Sequence, residues 1–122
     1  MNIDALAYWN EVSAIVVQFP GTEAGTSYGT PAFKVNKKLL ARLKEDGKTI
    51  VVYTDERDKW MKQSPKTFFI TDHYKNYLLM LIDLVTVKKK DLKALLLASW
   101  QIRANERLIS EMKKSSFKNG LP

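Results

Sequence analysis

The chain has 122 residues, a length that suits one domain and is too short for several. Of these residues 45% are hydrophobic, which is enough to form one core. It contains no cysteine, which excludes disulfides, a thiolate nucleophile and cysteine-based zinc sites. Twenty Lys and Arg residues against thirteen Asp and Glu residues give a net charge of +7, which favours either polyanion binding or plain solubility. No apolar run approaches the roughly 18 residues that span a bilayer, and no signal-peptide pattern is present, so we expect a cytoplasmic protein without membrane contact.

The first predicted element is an amphipathic helix. Apolar residues recur at helical spacing from Ala5 to Phe19 and form one stripe. Pro20 should end the helix at Phe19, because the residue before a proline avoids helical geometry. Residues 21–25 are rich in small and turn-forming residues and predict a loop.

From residue 26 onward a period of two predicts an antiparallel meander of short strands. Residues 28–30 are predicted as the first short strand, and Asn36 with Lys37 as a tight hairpin turn. Asp46 with Gly47 is a second hairpin signal. In the strand between these turns we expect strict alternation, with Leu39, Ala41 and Leu43 on one face and Leu40, Arg42 and Lys44 on the other.

The middle of the chain predicts three further strands and a short helix. Residues 49–54 are β-branched on both faces and therefore predict a central strand. The short helix is capped by Asp55, runs to about Gln63 and is expected to face Trp60 and Met61 inward. Strands are then predicted over residues 67–71 and 78–87, the second of them strongly apolar.

The C-terminal part predicts one long helix that begins after Asp91 and runs to about Lys114. Residues 115–122 are predicted as a frayed basic tail, so a single domain is expected over residues 1–114. Together these elements predict an α+β fold. Its antiparallel sheet is flanked by an N-terminal helix, a short middle helix and a long C-terminal helix.

Patterns typical of enzymes are weak or missing in the sequence. His73 is the only histidine, so sites that need two histidines are excluded. The glycines match neither a dinucleotide-binding fingerprint nor a phosphate-binding loop, and no Gly-x-Ser-x-Gly elbow is present. Neighbouring carboxylates fall in turns and at a helix start, where they have structural roles. We therefore expect no catalytic residue, no metal, no cofactor and no enzyme activity.

Four segments resemble a known family. Residues 25–35, GTSYGTPAFKV, are similar to the central signature of the MmcQ/YjbR family. Residues 40–47, 68–74 and 100–108 resemble further blocks of that family, so the resemblance covers nearly the whole chain. It implies a compact domain with the frataxin-like (CyaY-like) arrangement, described as a double-wing motif. Members of the family are commonly labelled DNA-binding, and the resemblance gives no catalytic residue to carry over.

The basic residues of the first hairpin are the best candidates for nucleic-acid binding. A basic hairpin can act as a wing that contacts the phosphates of double-stranded DNA, with weak sequence specificity. Two arginines one turn apart on the last helix add a second possible contact. The predicted nucleic-acid-binding residues are Lys34, Lys37, Lys38, Arg42, Arg103 and Arg107.

A second hypothesis is a module that binds a small ligand or a protein partner. Several polar residues of the family-like segments are not needed by a plain fold and could share one cleft. These candidates are Ser27, Tyr28, His73 and Tyr74, together with Lys34 and Arg42. The alternative is that both tyrosines are half-buried sheet residues and the others belong to the ordinary surface. We expect a monomer or a weak homodimer.

Overall fold

A computed structural model describes residues 3–118, with side chains up to Lys114. The fold is a six-stranded antiparallel sheet combined with four helices, which confirms the predicted α+β class. The strand order across the sheet is β1-β2-β3-β4-β6-β5. In chain order the elements are α1 (Ile3–Val16), β1 (Thr22–Ser27), β2 (Thr30–Val35), β3 (Lys38–Leu43), β4 (Thr49–Tyr53), α2 (Arg57–Gln63), β5 (Phe68–Phe69), a 3₁₀ helix (Asp72–Tyr74), β6 (Leu79–Asp83), α3 (Lys89–Arg103) and α4 (Glu106–Lys118).

One face of the sheet packs against the helices and forms the main core. Side chains from all four helices belong to this core, as do the inward-facing residues of β2, β3, β4 and β6. Trp9 of α1 stacks on Phe33 of β2 with 5.2 Å between the ring centroids. Trp100 of α3 is fully buried, and its Nε1 donates a hydrogen bond to the carbonyl oxygen of Pro20. A buried indole N–H group needs a hydrogen-bond partner. This bond supplies one and connects the turn after α1 to α3.

The opposite face of the sheet is covered only in part, and we call it the open face. Val51, Tyr74 and Leu81 form a small second cluster there, with Phe69 and Leu79 packed against it. Tyr74 comes from the 3₁₀ helix, so this short segment covers one end of the open face. The remainder, on the side of β1, β2 and β3, has no helix over it. A sheet with one solvated face is a usual arrangement for antiparallel strands.

Two hairpins of the same kind shape the first half of the sheet. Each has a two-residue turn in which both residues have positive φ, the pattern of a type I′ turn. Asn36 and Lys37 form the second of these turns, as predicted. Tyr28 and Gly29 form the first, so the strand predicted over residues 28–30 is wrong. The loop predicted over residues 21–25 is also wrong at most of its positions, because β1 is an exposed edge strand of small residues without apolar alternation.

Strict alternation fails in β3. The pairing runs from Phe33 opposite Ala41 to Lys34 opposite Leu39, so Leu40 is an extra residue in a β-bulge. Consequently Leu40 and Ala41 both belong to the main core, whereas Leu39 lies on the open face. The prediction that Leu40 lies on the opposite face of the strand from Ala41 and Leu43 is therefore wrong. The reason is that a bulge shifts the alternation of side chains by one residue.

The long C-terminal helix is two helices. The chain leaves helical geometry at Ala104, and α4 begins at Glu106. Asn105 caps α4, since its side-chain oxygen accepts a hydrogen bond from the Leu108 backbone N–H at 2.9 Å. Leu108 is then directed onto the main core. Because α4 continues to Lys118, the first four residues of the predicted tail are helical, and the last four lie outside the described residues.

Other predicted boundaries differ from the observed ones by up to four residues, since the strand predicted over 78–87 is β6, which ends at Asp83. Trp60 of α2 is buried as expected, although Glu56 rather than Asp55 precedes the helix and neither carboxylate caps it. The strand predicted over 67–71 shrinks to β5, because the chain turns into the 3₁₀ helix at Asp72. Phe19 is buried as predicted, but it follows a turn after the end of α1.

Candidate functional site

A concavity with a volume of about 710 Å³ lies on the open face. The β1–β2 turn and β2 and β3 form one side, and the segment that contains the 3₁₀ helix forms the other. All six residues of the predicted cleft line it, as do Lys37 and Lys44. The full lining is Ser27, Tyr28, Lys34, Lys37, Leu39, Arg42, Lys44, Glu45, Val51, His73, Tyr74, Tyr77 and Leu79.

Tyr28 is held at the rim of the cleft by its turn. Its φ is 53°, and 88% of the residue is exposed. The Arg42 guanidinium lies 5.3 Å from the centre of the Tyr28 ring. Such a contact between a cation and an aromatic face is attractive, so Arg42 helps to orient a ring that has little other support.

Arg42 itself is only 6% exposed. One of its terminal nitrogens donates to Thr30 Oγ1 at 2.7 Å, to the Leu43 carbonyl at 3.2 Å and to Glu45 Oε1 at 3.3 Å. A buried guanidinium needs such partners. Arg42 therefore adds positive charge to the cleft wall, while this nitrogen already has protein acceptors.

Tyr74 and His73 form the opposite side of the cleft. Tyr74 is buried, and His73 meets the Tyr74 ring edge-on with 4.7 Å between centroids. Lys44 Nζ reaches across from the end of β3 to the Tyr74 hydroxyl at 3.3 Å and lies 5.3 Å from the centre of its ring. Lys44 thus links the two walls and leaves part of its side chain exposed.

Arg57 fixes the segment that forms this second wall. Its guanidinium donates to four backbone carbonyls, those of Tyr74 at 3.1 Å, Lys75 at 2.6 Å, Tyr77 at 2.7 Å and Leu79 at 3.2 Å. A planar guanidinium suits such divergent acceptors better than an ammonium group does. Sequence reasoning missed Arg57, because it lies about 20 residues from its acceptors and no local pattern marks it.

The charge balance of the cleft is positive. Four of its lining residues are cationic, and Glu45 is the one carboxylate among the described lining residues. The pKa of Glu45 is lowered chiefly by a hydrogen bond from its own backbone N–H; burial opposes this effect, and Arg42 and Lys44 add to the lowering. Glu45 is therefore ionised at neutral pH and offsets one of the four positive charges.

The loop behind the cleft is held by Asp46. Its carboxylate accepts hydrogen bonds from the backbone N–H groups of Lys48 and Thr49 and from the Thr49 hydroxyl. Burial raises the pKa of this carboxyl group, but the three hydrogen bonds outweigh that effect and lower it overall. Gly47, with a φ of 74°, completes the turn.

The other predicted nucleic-acid-binding residues lie outside the cleft. Lys38 is exposed on β3 but does not line the concavity, and neither does Arg107, which is exposed on α4. Arg103 stacks on the Tyr53 ring at 3.4 Å and donates to the Leu39 carbonyl. Burial lowers the pKa of Arg103, an effect that Tyr53 opposes. Lys34, Lys37 and Arg42 line one concavity, whereas the other three do not, although Arg103 lies beside the same hairpin; their role stays a prediction.

The described residues contain neither a metal-ligating cluster nor a membrane-spanning helix. Over residues 3–118 there is no grouping of three or more His, Cys, Asp or Glu side chains that could hold a metal ion. Within the same range, no helix has the length and apolar character needed to cross a membrane.

Comparison with known protein families identifies the family of this chain. The YjbR family model matches residues 17–102. The chain belongs to the YjbR family. The match includes the β1–β2 turn, the basic hairpin, Arg57 and the 3₁₀ helix, so every residue that lines the cleft lies inside the family domain.

A solved structure agrees with this assignment. The crystal structure of the Deinococcus radiodurans protein DR2400, assigned to the family-model domain DUF419, superposes with a TM-score of 0.69. Sequence identity is 16%, and the alignment covers 93% of this YjbR-family chain and 88% of the other. At that identity the likeness establishes the fold alone. A search of the curated proteins found no match.

Proposed function

We propose that this YjbR-family protein binds nucleic acid through the cleft on its open face. The observation that carries the proposal is the gathering of Lys34, Lys37, Arg42 and Lys44 around one concavity with a single opposing carboxylate. A cluster of cations in a concave, partly apolar site raises the local concentration of a polyanion. The net charge of +7 acts in the same direction over longer distances.

The expected contacts are mainly with phosphates. Lys34 and Lys37 are exposed and appear in no ion pair among the described residues. Arg42 is only 6% exposed and one of its terminal nitrogens already has three protein acceptors, so we assign to Arg42 a field effect and not a direct phosphate contact. No Asn or Gln, the usual readers of adenine, is among the lining residues. Because phosphate contacts carry no base information, we expect weak sequence specificity.

The test is fluorescence anisotropy with labelled 12-nucleotide single strands and 12-base-pair duplexes, at about 50 and 200 mM salt. Several phosphate contacts should reduce affinity by orders of magnitude over this range. Absence of binding to both forms at the lower salt, or binding without a salt dependence, would remove the proposal.

The decisive variant is Lys37→Gly. It deletes one cleft cation and also favours the turn, because glycine adopts the φ of 66° found at this position more readily than lysine does. An unfolding midpoint at or above that of the wild type would show that a loss of affinity does not come from unfolding. We expect affinity to fall several-fold and the salt slope to fall by about one contact. The matched control is Lys93→Ala, which removes one exposed charge on α3, and it should leave the slope unchanged.

A second candidate function is binding of a small anionic ligand in the same cleft. The volume of about 710 Å³ favours it, since ligand pockets usually measure roughly 300–1,000 Å³. Thermal unfolding with phosphate, nucleotides and carboxylic acids would identify such a ligand. A midpoint that rises with one of these compounds, in a protein that does not bind oligonucleotides, would favour this candidate.

A further inference from the structure

We propose that the cleft accepts single-stranded nucleic acid, with an unpaired base stacked on Tyr28. This inference rests on the proposed function and specifies its ligand. Exposed aromatic rings beside a cationic groove are the usual means of holding single strands, because every base has a face that can stack. The ligand class is therefore a short unpaired stretch of DNA or RNA.

The type I′ turn explains the positive φ at position 28 but not the choice of a tyrosine there. A bulky residue with a positive φ is an outlier, and the first position of this turn type favours Asn, Asp or Gly. The neighbouring hairpin follows that preference with Asn36 at the equivalent position, at nearly the same φ. Tyr28 is also 88% exposed, so its ring adds little to the core. Strained residues of this kind cluster at binding sites, which directs attention to the ring itself.

The surroundings of Tyr28 suit a stacked base. Arg42 contacts the ring at 5.3 Å and is held in place by its own hydrogen bonds, so the aromatic ring has a fixed support. Because so much of Tyr28 is exposed, the rest of the ring is available to a ligand. Tyr77, on the second wall, is 59% exposed and offers another aromatic surface in the same cleft.

The remaining lining supplies the other contacts that a single strand needs. Lys34 and Lys37 on the hairpin, with Lys44 at the end of β3, offer cations to the phosphates. Leu39 and Leu79 contribute apolar surface to the cleft, which suits the faces of bases and sugars better than it suits phosphates. The mixture of exposed aromatic, apolar and cationic groups is thus complementary to an unstacked strand.

A duplex fits the same site less well. Its base faces are already covered by neighbouring pairs, so Tyr28 would have no face on which to stack. At about 710 Å³ the cleft is in the size range of small-ligand pockets and cannot enclose a duplex. Only the rim lysines could touch a duplex. We therefore expect a single strand to bind at least about tenfold more tightly than a duplex of equal length at equal salt.

The experiment compares labelled (dT)₁₂, (rU)₁₂ and a 12-base-pair duplex on the intact chain. Tyr28→Asn removes the ring and restores a favoured turn residue, so it should keep or raise the unfolding midpoint. Tyr28→Asn should weaken single-strand binding about five- to tenfold, which is within the range of affinity losses expected when one stacked base loses its aromatic partner. Duplex binding should be unchanged. Tyr28→Phe keeps the ring and should bind as the wild type does. The ratio of the DNA and RNA affinities then identifies the preferred sugar.

A positive spectroscopic signal comes from Tyr28→Trp. The natural tryptophans Trp9, Trp60 and Trp100 are all buried, so an exposed indole at position 28 would report on contact with bases. We expect its fluorescence to be quenched by (dT)₁₂ in proportion to binding. Equal affinity for strand and duplex, or wild-type affinity in Tyr28→Asn, would overturn the inference and leave phosphate binding intact. Absence of binding to every oligonucleotide would overturn the proposed function as well.

Discussion

Replacement of Arg57 by alanine should loosen the second wall of the cleft and destabilise the protein. The Arg57 guanidinium donates to four carbonyls of the chain between the 3₁₀ helix and β6. Two of these bonds, to Lys75 and Tyr77, are exposed, so water can replace them at little cost. The bonds to Tyr74 and Leu79 are partly buried and should carry most of the effect.

The magnitude follows from those two bonds. Hydrogen bonds that involve a charged group contribute about 1.5–2 kcal/mol each when partly buried, or about 3–4 kcal/mol together. This loss is offset in part, because ordering the arginine side chain on folding costs about 1.5–2 kcal/mol of rotamer entropy, which the alanine variant does not incur. The difference predicts that Arg57→Ala lowers the free energy of unfolding by about 2 kcal/mol. With a urea m-value of about 1.5 kcal/mol/M, the midpoint should move down by a little over 1 M.

The assay is equilibrium urea unfolding followed by circular dichroism. Arg57→Lys should lose most of the same free energy, because one ammonium group cannot reach four carbonyls. Lys62→Ala is the control, since Lys62 is an exposed cation on the same helix, α2. Amide exchange should rise selectively over residues 74–79 in the Arg57 variants. A loss below about 0.5 kcal/mol in Arg57→Ala, or an equal loss in the control, would refute the reasoning.

Three further predictions concern the turns and helix ends. Gly47→Ala should cost about 2–4 kcal/mol in urea unfolding, because φ is 74° and the new Cβ would lie 2.7 Å from the Ala5 Cβ; a neutral result would contradict this. Asp46 has a lowered pKa in the folded protein, so its contribution to stability is complete above the pKa of the unfolded chain and is lost as pH falls through the folded value. The stability difference between wild type and Asp46→Asn should therefore shrink below about pH 4, as measured by urea unfolding at several pH values. Asn105→Ala should destabilise α4 by about 1 kcal/mol, because the Leu108 N–H loses its hydrogen bond to the Asn105 side chain. Thermal unfolding measures this loss, and an unchanged midpoint would contradict the prediction.

Most of the fold was predictable because local patterns and tertiary packing agree. The α+β class, the hairpin turn at Asn36 and Lys37, the central strand β4 and the inward Trp60 all follow from periodicity and turn chemistry. The errors have particular causes. The edge strand β1 lacks apolar alternation, and the break at Ala104 has no proline or glycine to mark it.

The candidate site was predictable in part. The residues proposed for the cleft do line one concavity. The sequence could not show that Arg42 and Arg103 have protein partners for their guanidinium groups, because those partners depend on which strands and helices meet. Nor could it show that Lys44 reaches Tyr74 across the sheet.

By itself the sequence determined the class of fold, the kind of most of its elements, the absence of cysteine chemistry and a net charge of +7. These properties depend on composition and on contacts between residues near each other in the chain. Only the tertiary structure decided which cations remain free, which side of β3 each residue faces and what holds the wall of the cleft. Bulges, long-range hydrogen bonds and exposure depend on contacts between residues far apart in the chain, as with Arg57 and its four carbonyl partners.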